Sequence, residues 1–335
     1  MRLIRIILLL VTCAFLPAAQ AAETLFYKEI NLIGGYSDKN KWIGKSSDLM
    51  NSVGFEHFAK FSNEYGDFLT TDFQVRLGYD SKEGPENAWG LEVHNAWLQY
   101  RLSSMNKIKV GHFDPAFGLE QVLDTHSTIL QTLAPKNIGF KKDWGLALEG
   151  TLPKADYSLA LQLGSGMSIY RRDGSFLTSG RIGTPQGENV QAGFSLMYGD
   201  VLKTEGMSTY PRNELISNKA TKKKRVGFDA QYLFGALLTK AEVAFGKDER
   251  KDVLGYLLEF DYTIPRLQNC ELELQYQSWN ADRHTGGMDD STLTLGATYK
   301  LTARTALRAA FAQDLNLGDG NEDKIFLVQF YYYGQ

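Results

Sequence analysis

Beyond residue 16 the sequence contains no apolar run near the roughly 20 residues that a helix needs to cross a bilayer. Hydrophobic residues make up 43% of the chain, and its mean hydropathy is −0.28. These values are too polar for a helical membrane protein. They suit a membrane β-barrel, in which only alternate residues face lipid.

Cysteine and one-signed charge are also scarce. The two cysteines are Cys13, which lies in the leader predicted below, and Cys270, so the mature chain keeps one thiol and has no intramolecular disulfide. The formal net charge is −3, and the acidic and basic residues are interspersed. We therefore predict no nucleic-acid partner.

Enzyme motifs are missing as well. No G-x-S-x-G, H-E-x-x-H or Walker phosphate-binding motif occurs, and the five histidines are scattered along the chain. We predict no catalytic activity, no metal site and no cofactor.

The N-terminus reads as a cleaved signal peptide covering residues 1–21. Arg2 and Arg5 precede an apolar core from Ile6 to Leu16, and Ala19-Gln20-Ala21 fits the small-x-small cleavage pattern. A membrane anchor would need a longer core, and a lipoprotein site at Cys13 would follow the unfavourable Thr12. The predicted mature domain is 22–335.

Alternation of apolar and polar residues dominates this domain. Strand side chains point to opposite faces with a period of two, so each such segment has one apolar and one polar face. The clearest example is Leu69, Thr71, Phe73, Val75, Leu77 and Tyr79 alternating with Thr70, Asp72, Gln74, Arg76, Gly78 and Asp80. With the leader and the tyrosines at strand ends, the pattern predicts an all-β, transmembrane antiparallel barrel in the outer membrane of a Gram-negative bacterium. A soluble β-sandwich is the alternative.

Short turns and long polar connections follow each other in order, which predicts about sixteen strands with both termini on the periplasmic side. The segment 174–184 is the weakest, and losing it would give an odd strand count or a fourteen-strand barrel. The last strand presents Phe326, Val328, Phe330 and Tyr332 on one face, an aromatic ending typical of barrel insertion. The predicted strands are 24–36, 52–63, 68–80, 90–103, 107–118, 139–151, 155–168, 174–184, 188–200, 223–234, 236–246, 253–264, 268–280, 291–302, 304–314 and 324–334.

The polar faces place charged residues in the lumen, where local clustering sets ion selectivity. The basic candidates are Lys60, Arg76, Arg101, Lys107, Lys109, Arg225, Lys240, Lys300 and Arg308. The acidic candidates are Glu56, Asp72, Asp80, Glu149, Asp229, Glu242, Glu259, Asp261, Glu271 and Glu273. We predict one basic wall from Arg76, Arg101, Lys107 and Lys109, and one acidic wall from Glu259, Asp261, Glu271 and Glu273. The alternative is that these charges pair across strands and only stiffen the wall.

The third extracellular loop is predicted to fold inward and constrict the pore. Its apolar residues have helical spacing over 119–133, and so apolar a loop favours packing against the inner wall or, alternatively, a trimer contact. The candidate constriction residues are Glu120, Asp124, His126 and Lys136.

A basic run follows the long connection 201–222. It comprises Lys222-Lys223-Lys224-Arg225, with Lys219 just before. Three roles are open for this segment. It could draw anions toward the mouth of the channel, bridge the phosphates of lipopolysaccharide, or be a solvated loop base that binds no ligand.

The segment from Gly111 to Glu120, GHFDPAFGLE, resembles the strand-to-loop motif of the phosphate-selective porin O/P family. The motif residues are Gly111, Phe113, Pro115, Phe117 and Gly118. The resemblance implies a sixteen-stranded, often trimeric channel whose loop after the motif enters the pore. Asp114 stands where the family motif usually has a basic residue, and the lumen is balanced in charge, so both features depart from the pattern of a phosphate-selective member.

The leading hypothesis is a porin-like channel for passive diffusion of small hydrophilic solutes. Anions and oxyanions similar to phosphate, selenite or tellurite are the expected cargo. The alternative is a barrel that holds a cytochrome partner for electron transfer across the membrane, with any haem supplied by that partner.

Overall fold

The computed structural model describes residues 22–39, 41–44, 51–79, 88–123, 128–203, 209–210, 219–284, 289–315 and 323–335. Within them a single antiparallel sheet closes on itself, because the first strand pairs with the last. Along this seam the register runs from Lys28 opposite Gly334 to Ser37 opposite Ile325. Closure matters because an unpaired strand edge inside a bilayer is costly.

The wall has sixteen strands. β2 and β3 both pair with β1, so together they form one interrupted wall strand. The sixteen-strand barrel predicted from the sequence is confirmed, and the weak segment 174–184 is present as β9. The strands are β1 (Ala22–Ser37), β2 (Lys41–Ile43), β3 (Asn51–Asn63), β4 (Gly66–Tyr79), β5 (Trp89–Arg101), β6 (Asn106–Phe113), β7 (Asp143–Leu152), β8 (Ala155–Gln162), β9 (Phe176–Gly183), β10 (Val190–Val201), β11 (Thr221–Phe234), β12 (Leu237–Asp248), β13 (Lys251–Thr263), β14 (Cys270–Asn280), β15 (Asp289–Thr302), β16 (Thr305–Asp314) and β17 (Lys324–Gly334).

The largest differences from the predicted strand ends, four to six residues, occur in three strands near the β6–β7 connection. β6 ends at Phe113 rather than 118, β7 begins at Asp143 rather than 139, and β8 ends at Gln162 rather than 168. Pro115 has no N–H for the ladder, and Gly118 adopts a φ of 63°. These local backbone constraints end the regular pairing even though the apolar pattern continues.

The two faces of the wall differ in polarity. On β10, Phe194, Leu196 and Tyr198 are exposed, whereas Ser195 between them is completely buried. An apolar exterior around a polar interior is the reverse of a soluble protein and is the arrangement that lipid contact requires. The soluble sandwich considered from the sequence is therefore wrong.

Helical structure in the described residues is confined to a 3₁₀ turn at Leu119–Gln121 and a four-residue helix, α1, at Ala134–Asn137. No described helix has the length and hydropathy to span a membrane. The leucine spacing over 119–133 therefore does not form a continuous helix, because 128–133 has no helical structure.

Both chain ends of the barrel lie at the rim where the connections are short. The β11–β12 turn, for example, contains only Gly235 and Ala236. We refer to this as the short-turn end. The opposite end carries the long connections, including 202–220 between β10 and β11.

Candidate functional site: the barrel interior

Residues 114–123 and 128–142, which connect β6 to β7, lie against the inner face of the wall, and we call them the inner segment. Three of its backbone amides donate to side chains on three different strands. The N–H of Ala116 donates to Ser179 Oγ at 2.9 Å, and that of Gly118 donates to Ser195 Oγ at 3.1 Å. The N–H of Leu119 donates to the buried carboxylate of Glu242 at 3.0 Å. These bonds fasten the first part of the inner segment to β9, β10 and β12.

The second part of the inner segment is held further round the wall. Arg225 Nε donates to Asn137 Oδ1 at 2.9 Å, and Lys223 Nζ donates to the Ile138 carbonyl at 2.8 Å. On β14, the side-chain amide of Gln275 donates to the Gln131 carbonyl at 3.1 Å. Because these donors come from β11 and β14, the inner segment follows the wall rather than crossing it at one point.

Apolar contacts complete this attachment. Leu119 and Leu133 are fully buried against Leu257 of β13. Ile129 packs with residues of β1, β16 and β17 in a second cluster, formed with Ile33, Ala310 and Leu327. The inner segment thus covers the inner face from β9 to β17. Toward β4 to β8 it contacts the wall only near its start, where Ala116 packs with Ala147 and Ala160, among the described residues, and it leaves the rest of that side open.

Two adjoining cavities occupy the open side. One has a volume of about 370 Å³ and lies near the short-turn end, and the other has a volume of about 290 Å³. Both are lined by Lys109, Asp114, Gln121 and Val122, so they are parts of one passage. The passage therefore runs between the inner segment and the wall strands β4 to β9.

The passage contains both paired and unpaired cations. Lys109 lies 2.7 Å from Glu149, and Lys142 lies 2.7 Å from Asp114. In contrast, Arg101 and Lys107 face each other in register on β5 and β6, and neither forms an ion pair within the described part of the chain. Lys60 on β3 lines neither cavity; its Nζ lies 5.8 Å from the ring centre of Phe58, and it forms no ion pair with any described residue. Glu149 on β7 lies opposite Lys107 in register, but its carboxylate contacts Lys109 instead. The short-turn end of the passage thus keeps two cations that form no ion pair within the described residues.

An acidic group lies on the opposite side of the barrel. β5 and β6 are the fourth and fifth wall strands, and β13 and β14 are the twelfth and thirteenth of sixteen, so the two pairs are diametrically opposed. Asp261 and Glu273 pair in register, beside Glu259 and Glu271. All four line a separate cavity of about 100 Å³ beneath the inner segment. The acidic wall predicted from the sequence is therefore brought together by β13 and β14.

Cations partly neutralise that group. Lys240 Nζ lies 2.5 Å from Glu259 and 2.7 Å from Asp261. Arg308 lines the same cavity and donates to Gln329 at 3.1 Å, and Lys300 lies 3.9 Å from Glu271. The alternative considered from the sequence was that lumen charges pair across strands. Lys109 and Lys240 do form such cross-strand ion pairs.

The predicted basic wall is not continuous, because Arg76 lies far from its other members. Arg76 pairs in register with Glu92 on β5. Glu92 is nine residues from Arg101 on the same strand, so Arg76 and Arg101 are separated by roughly 30 Å along the strand direction. Its guanidinium is buried between Glu29 at 2.8 Å and Glu92 at 3.5 Å. Register and closure of the barrel, rather than strand adjacency, decide which charges meet.

The remaining candidates have varied environments. Arg225 has no exposed side-chain surface and lies 2.6 Å from Asp248. Glu120 is buried and accepts a hydrogen bond from the Thr132 hydroxyl, and Lys136 lies 2.9 Å from Asp290. Asp80, Asp124 and His126 lie outside the described residues.

The motif residues shape the entry into the inner segment. Gly111 has a φ of 134°, and a Cβ there would lie 2.0 Å from the Ala96 carbonyl oxygen, so β5 and β6 require glycine at this point. Phe113 packs in a buried cluster with Ala116, Ala147 and Ala160, and Pro115 is also buried. Phe117 is buried in a separate cluster, and its ring lies over Gly227.

Sequence reasoning missed several interior residues. Arg181 lines the passage and is fixed by Asp229, with contacts of 3.0 and 2.5 Å. Arg181 lies on β9, where serine and glycine weaken the alternation of apolar and polar residues. Its place in that alternation could still have assigned its side chain to the polar face. The contacts of three other residues involve the inner segment and are long-range, so the sequence alone does not show them: Lys142, Ser179 and Ser195. Within the described ranges, no group of three or more His, Cys, Asp or Glu is arranged to hold a metal ion.

A closed sixteen-strand barrel with a polar interior and an apolar exterior defines an outer-membrane channel of the porin type. The model of the Gram-negative porin family matches residues 9–319, and the chain belongs to this family. The family places the chain in the outer membrane and indicates a channel for small solutes rather than an enzyme. The Gram-negative porin family is a broader class than the phosphate-selective porin O/P family that residues 111–120 resemble. Membership of the O/P family therefore remains a prediction.

Solved structures share the fold at low sequence identity. An anion-selective porin from Comamonas acidovorans has a TM-score of 0.67 and 12% identity, covering 94% of this chain and all (100%) of that one. A loop-deletion mutant of OmpT, an outer membrane protein of Vibrio cholerae, gives the same values. Salmonella typhi OmpF, in complex with daunomycin, has a TM-score of 0.64 and 11% identity, covering 93% of this chain and 97% of that one. No curated protein sequence matches the chain.

Proposed function

We propose that this porin conducts small hydrophilic anions, including oxyanions similar to phosphate, selenite and tellurite. The observation that carries the proposal is the pair of Arg101 and Lys107, which face each other at the short-turn end and form no ion pair in the described residues, because Glu149, opposite Lys107, contacts Lys109. Lys107 lines the larger cavity directly. Unneutralised cations beside a narrow aqueous path raise the local concentration of anions and oppose cations.

The position of the acidic group supports the same conclusion. Its four carboxylates lie across the barrel in a separate, smaller cavity, where Lys240 contacts two of them. A solute in the larger passage is closer to the basic side. Lys109 and Lys142 are paired with acids, so they contribute weaker binding that still permits release.

We also propose that the inner segment forms the constriction. It is fastened along β9 to β14 by hydrogen bonds to its backbone, which fixes the width left beside β4 to β8. The same position argues against the cytochrome sheath, because the segment covers inner wall that a partner inside the barrel would have to contact.

Assembly as a homotrimer is part of this proposal. OmpT of Vibrio cholerae, which shares the fold at 13% identity, has been solved in a trimer form. The expected result is a trimer in detergent, measured by light scattering with the detergent contribution subtracted. A monomer would contradict it.

We expect the variant R101E/K107E to lose most of its anion preference. The two substitutions change the charge beside the passage by four units. At distances of about 8 Å in water, with screening, this changes the permeability ratio of chloride to potassium by about tenfold. The measurement is the reversal potential of single channels in a planar bilayer with a KCl gradient.

The matched control is K28E/K154E, which makes the same charge change at the short-turn end with two exposed lysines outside the passage. It should leave the reversal potential unchanged. Cation preference in the unmodified protein would overturn the anion proposal, and the absence of conductance steps would overturn the channel itself.

A further inference from the structure

The basic run at the start of β11 is divided between the two faces of the wall. Lys223 and Arg225 point inward, where they hold the inner segment through Ile138 and Asn137. Lys222 and Lys224 alternate with them, so they point outward, and both are exposed. Half of the run is therefore used inside the barrel, and the other half faces the membrane side.

A third outward lysine joins them from β12. Lys247 is exposed and lies directly opposite Lys224 in register. Like charges in direct cross-strand opposition destabilise a sheet unless something compensates them. We call Lys222, Lys224 and Lys247 the rim lysines.

Carboxylates of the protein neutralise the charges of the rim lysines only in part. Lys247 lies 3.1 Å from Asp252, which also contacts His284 at 2.5 Å. Asp200 is opposite Lys222 in register, yet neither Lys222 nor Lys224 forms an ion pair in the described part of the chain. Glu249 accepts a hydrogen bond from the backbone N–H of Lys222 at 2.8 Å and forms no ion pair with its ammonium group. The ammonium groups of Lys222 and Lys224 are therefore available to an external anion.

The rim lysines lie at the boundary between the apolar wall and the long connections. The Nζ of Lys224 is 5.7 Å from the ring centre of Tyr198, which packs edge-on against Phe176 at 5.7 Å. Further down the same outward face, Phe228 and Phe245 are exposed. Tyrosine and lysine above an apolar band mark the level of lipid headgroups, and the phenylalanines lie where acyl chains would pack.

We propose that the rim lysines bind the phosphate groups of an outer-leaflet lipid. Three ammonium groups on one outward surface suit a headgroup with more than one phosphate, because each phosphate oxygen accepts a charge-assisted hydrogen bond. A lipid fits better than free phosphate because the site opens sideways onto the apolar band. The proposal does not depend on which solute the channel conducts.

The test measures lipid binding to the purified, detergent-solubilised protein by native mass spectrometry, with bisphosphorylated lipid A as the probe. We expect K222Q/K224Q/K247Q to bind it about 100-fold more weakly and K224Q about fivefold more weakly. The matched control K28Q removes an exposed lysine at the short-turn end and should bind as the unmodified protein does. Lipid A lacking its phosphates should bind like the triple variant.

Binding by the triple variant within twofold of the unmodified protein would overturn the proposal. Equal binding of phosphate-free lipid A would overturn it too, by showing an acyl-chain site only. Competition by inorganic phosphate at the same concentration as the lipid would identify a general ion site instead. The triple variant should keep its single-channel conductance, which shows that the barrel has folded and separates this test from that of anion conduction.

Discussion

Replacing Gly118 with valine is expected to loosen the inner segment, lower the free energy of unfolding by about 2–4 kcal/mol and reduce single-channel conductance. Gly118 has φ 63° and ψ −156°, a backbone conformation that is essentially restricted to glycine. A Cβ at this position would lie 2.5 Å from Glu242 Oε1, the carboxylate that accepts from the neighbouring Leu119 amide. The valine side chain therefore displaces the buried Glu242 carboxylate, weakens its hydrogen bond with the Leu119 N–H and lets the segment move toward the passage, which narrows the passage.

The control is Gly174→Val. Gly174 also has a positive φ, 68°, but a Cβ there would meet nothing within 4 Å. It should show only the backbone cost of about 1–2 kcal/mol and an unchanged conductance. Unfolding in urea from lipid vesicles and single-channel recording provide the two measurements. If G118V kept the unmodified conductance, the inner segment would not set the width of the passage.

The wall was predictable because its signal is local. Period-two alternation fixes which side chains face lipid, and a short turn such as Gly235-Ala236 fixes where a strand reverses. β9 was the least certain strand because serine and glycine weaken its alternation, and it is nevertheless present in the wall. The largest errors in strand boundaries fell beside the β6–β7 connection, where Pro115 and the positive φ of Gly118 end regular pairing.

The interior was less predictable because its contacts are long-range. Arg76 is bound by Glu29, which reaches it only through the pairing of β1, β3 and β4, and sequence adjacency instead suggested Arg101 and Lys107 as its neighbours. The acidic group was predictable because Asp261 and Glu273 lie on consecutive strands joined by a short turn. Contacts made by the inner segment could not be read from the sequence, since they join residues up to 146 positions apart.

Replacing Arg181 with methionine is expected to lower the free energy of unfolding by about 3–5 kcal/mol. Arg181 and Asp229 are both buried, and the guanidinium donates to the carboxylate through two nitrogens, at 3.0 and 2.5 Å. Removing the guanidinium leaves the Asp229 carboxylate buried without a partner, so the cost of taking that charge out of water is no longer offset. Arg181 also attracts Glu242, so its loss weakens the support of the carboxylate that holds Leu119.

The double variant R181M/D229L distinguishes loss of the ion pair from loss of packing. Because it removes both charges and keeps apolar volume, it should recover most of the stability lost by R181M. The exposed Arg304 at the short-turn end provides a matched control, and R304M should change the free energy of unfolding by less than about 0.5 kcal/mol. If the double variant were as unstable as R181M, shape rather than charge would explain the role of Arg181. Recovery of stability together with reduced anion preference would show that one buried pair both stabilises the wall and positions a cation beside the passage.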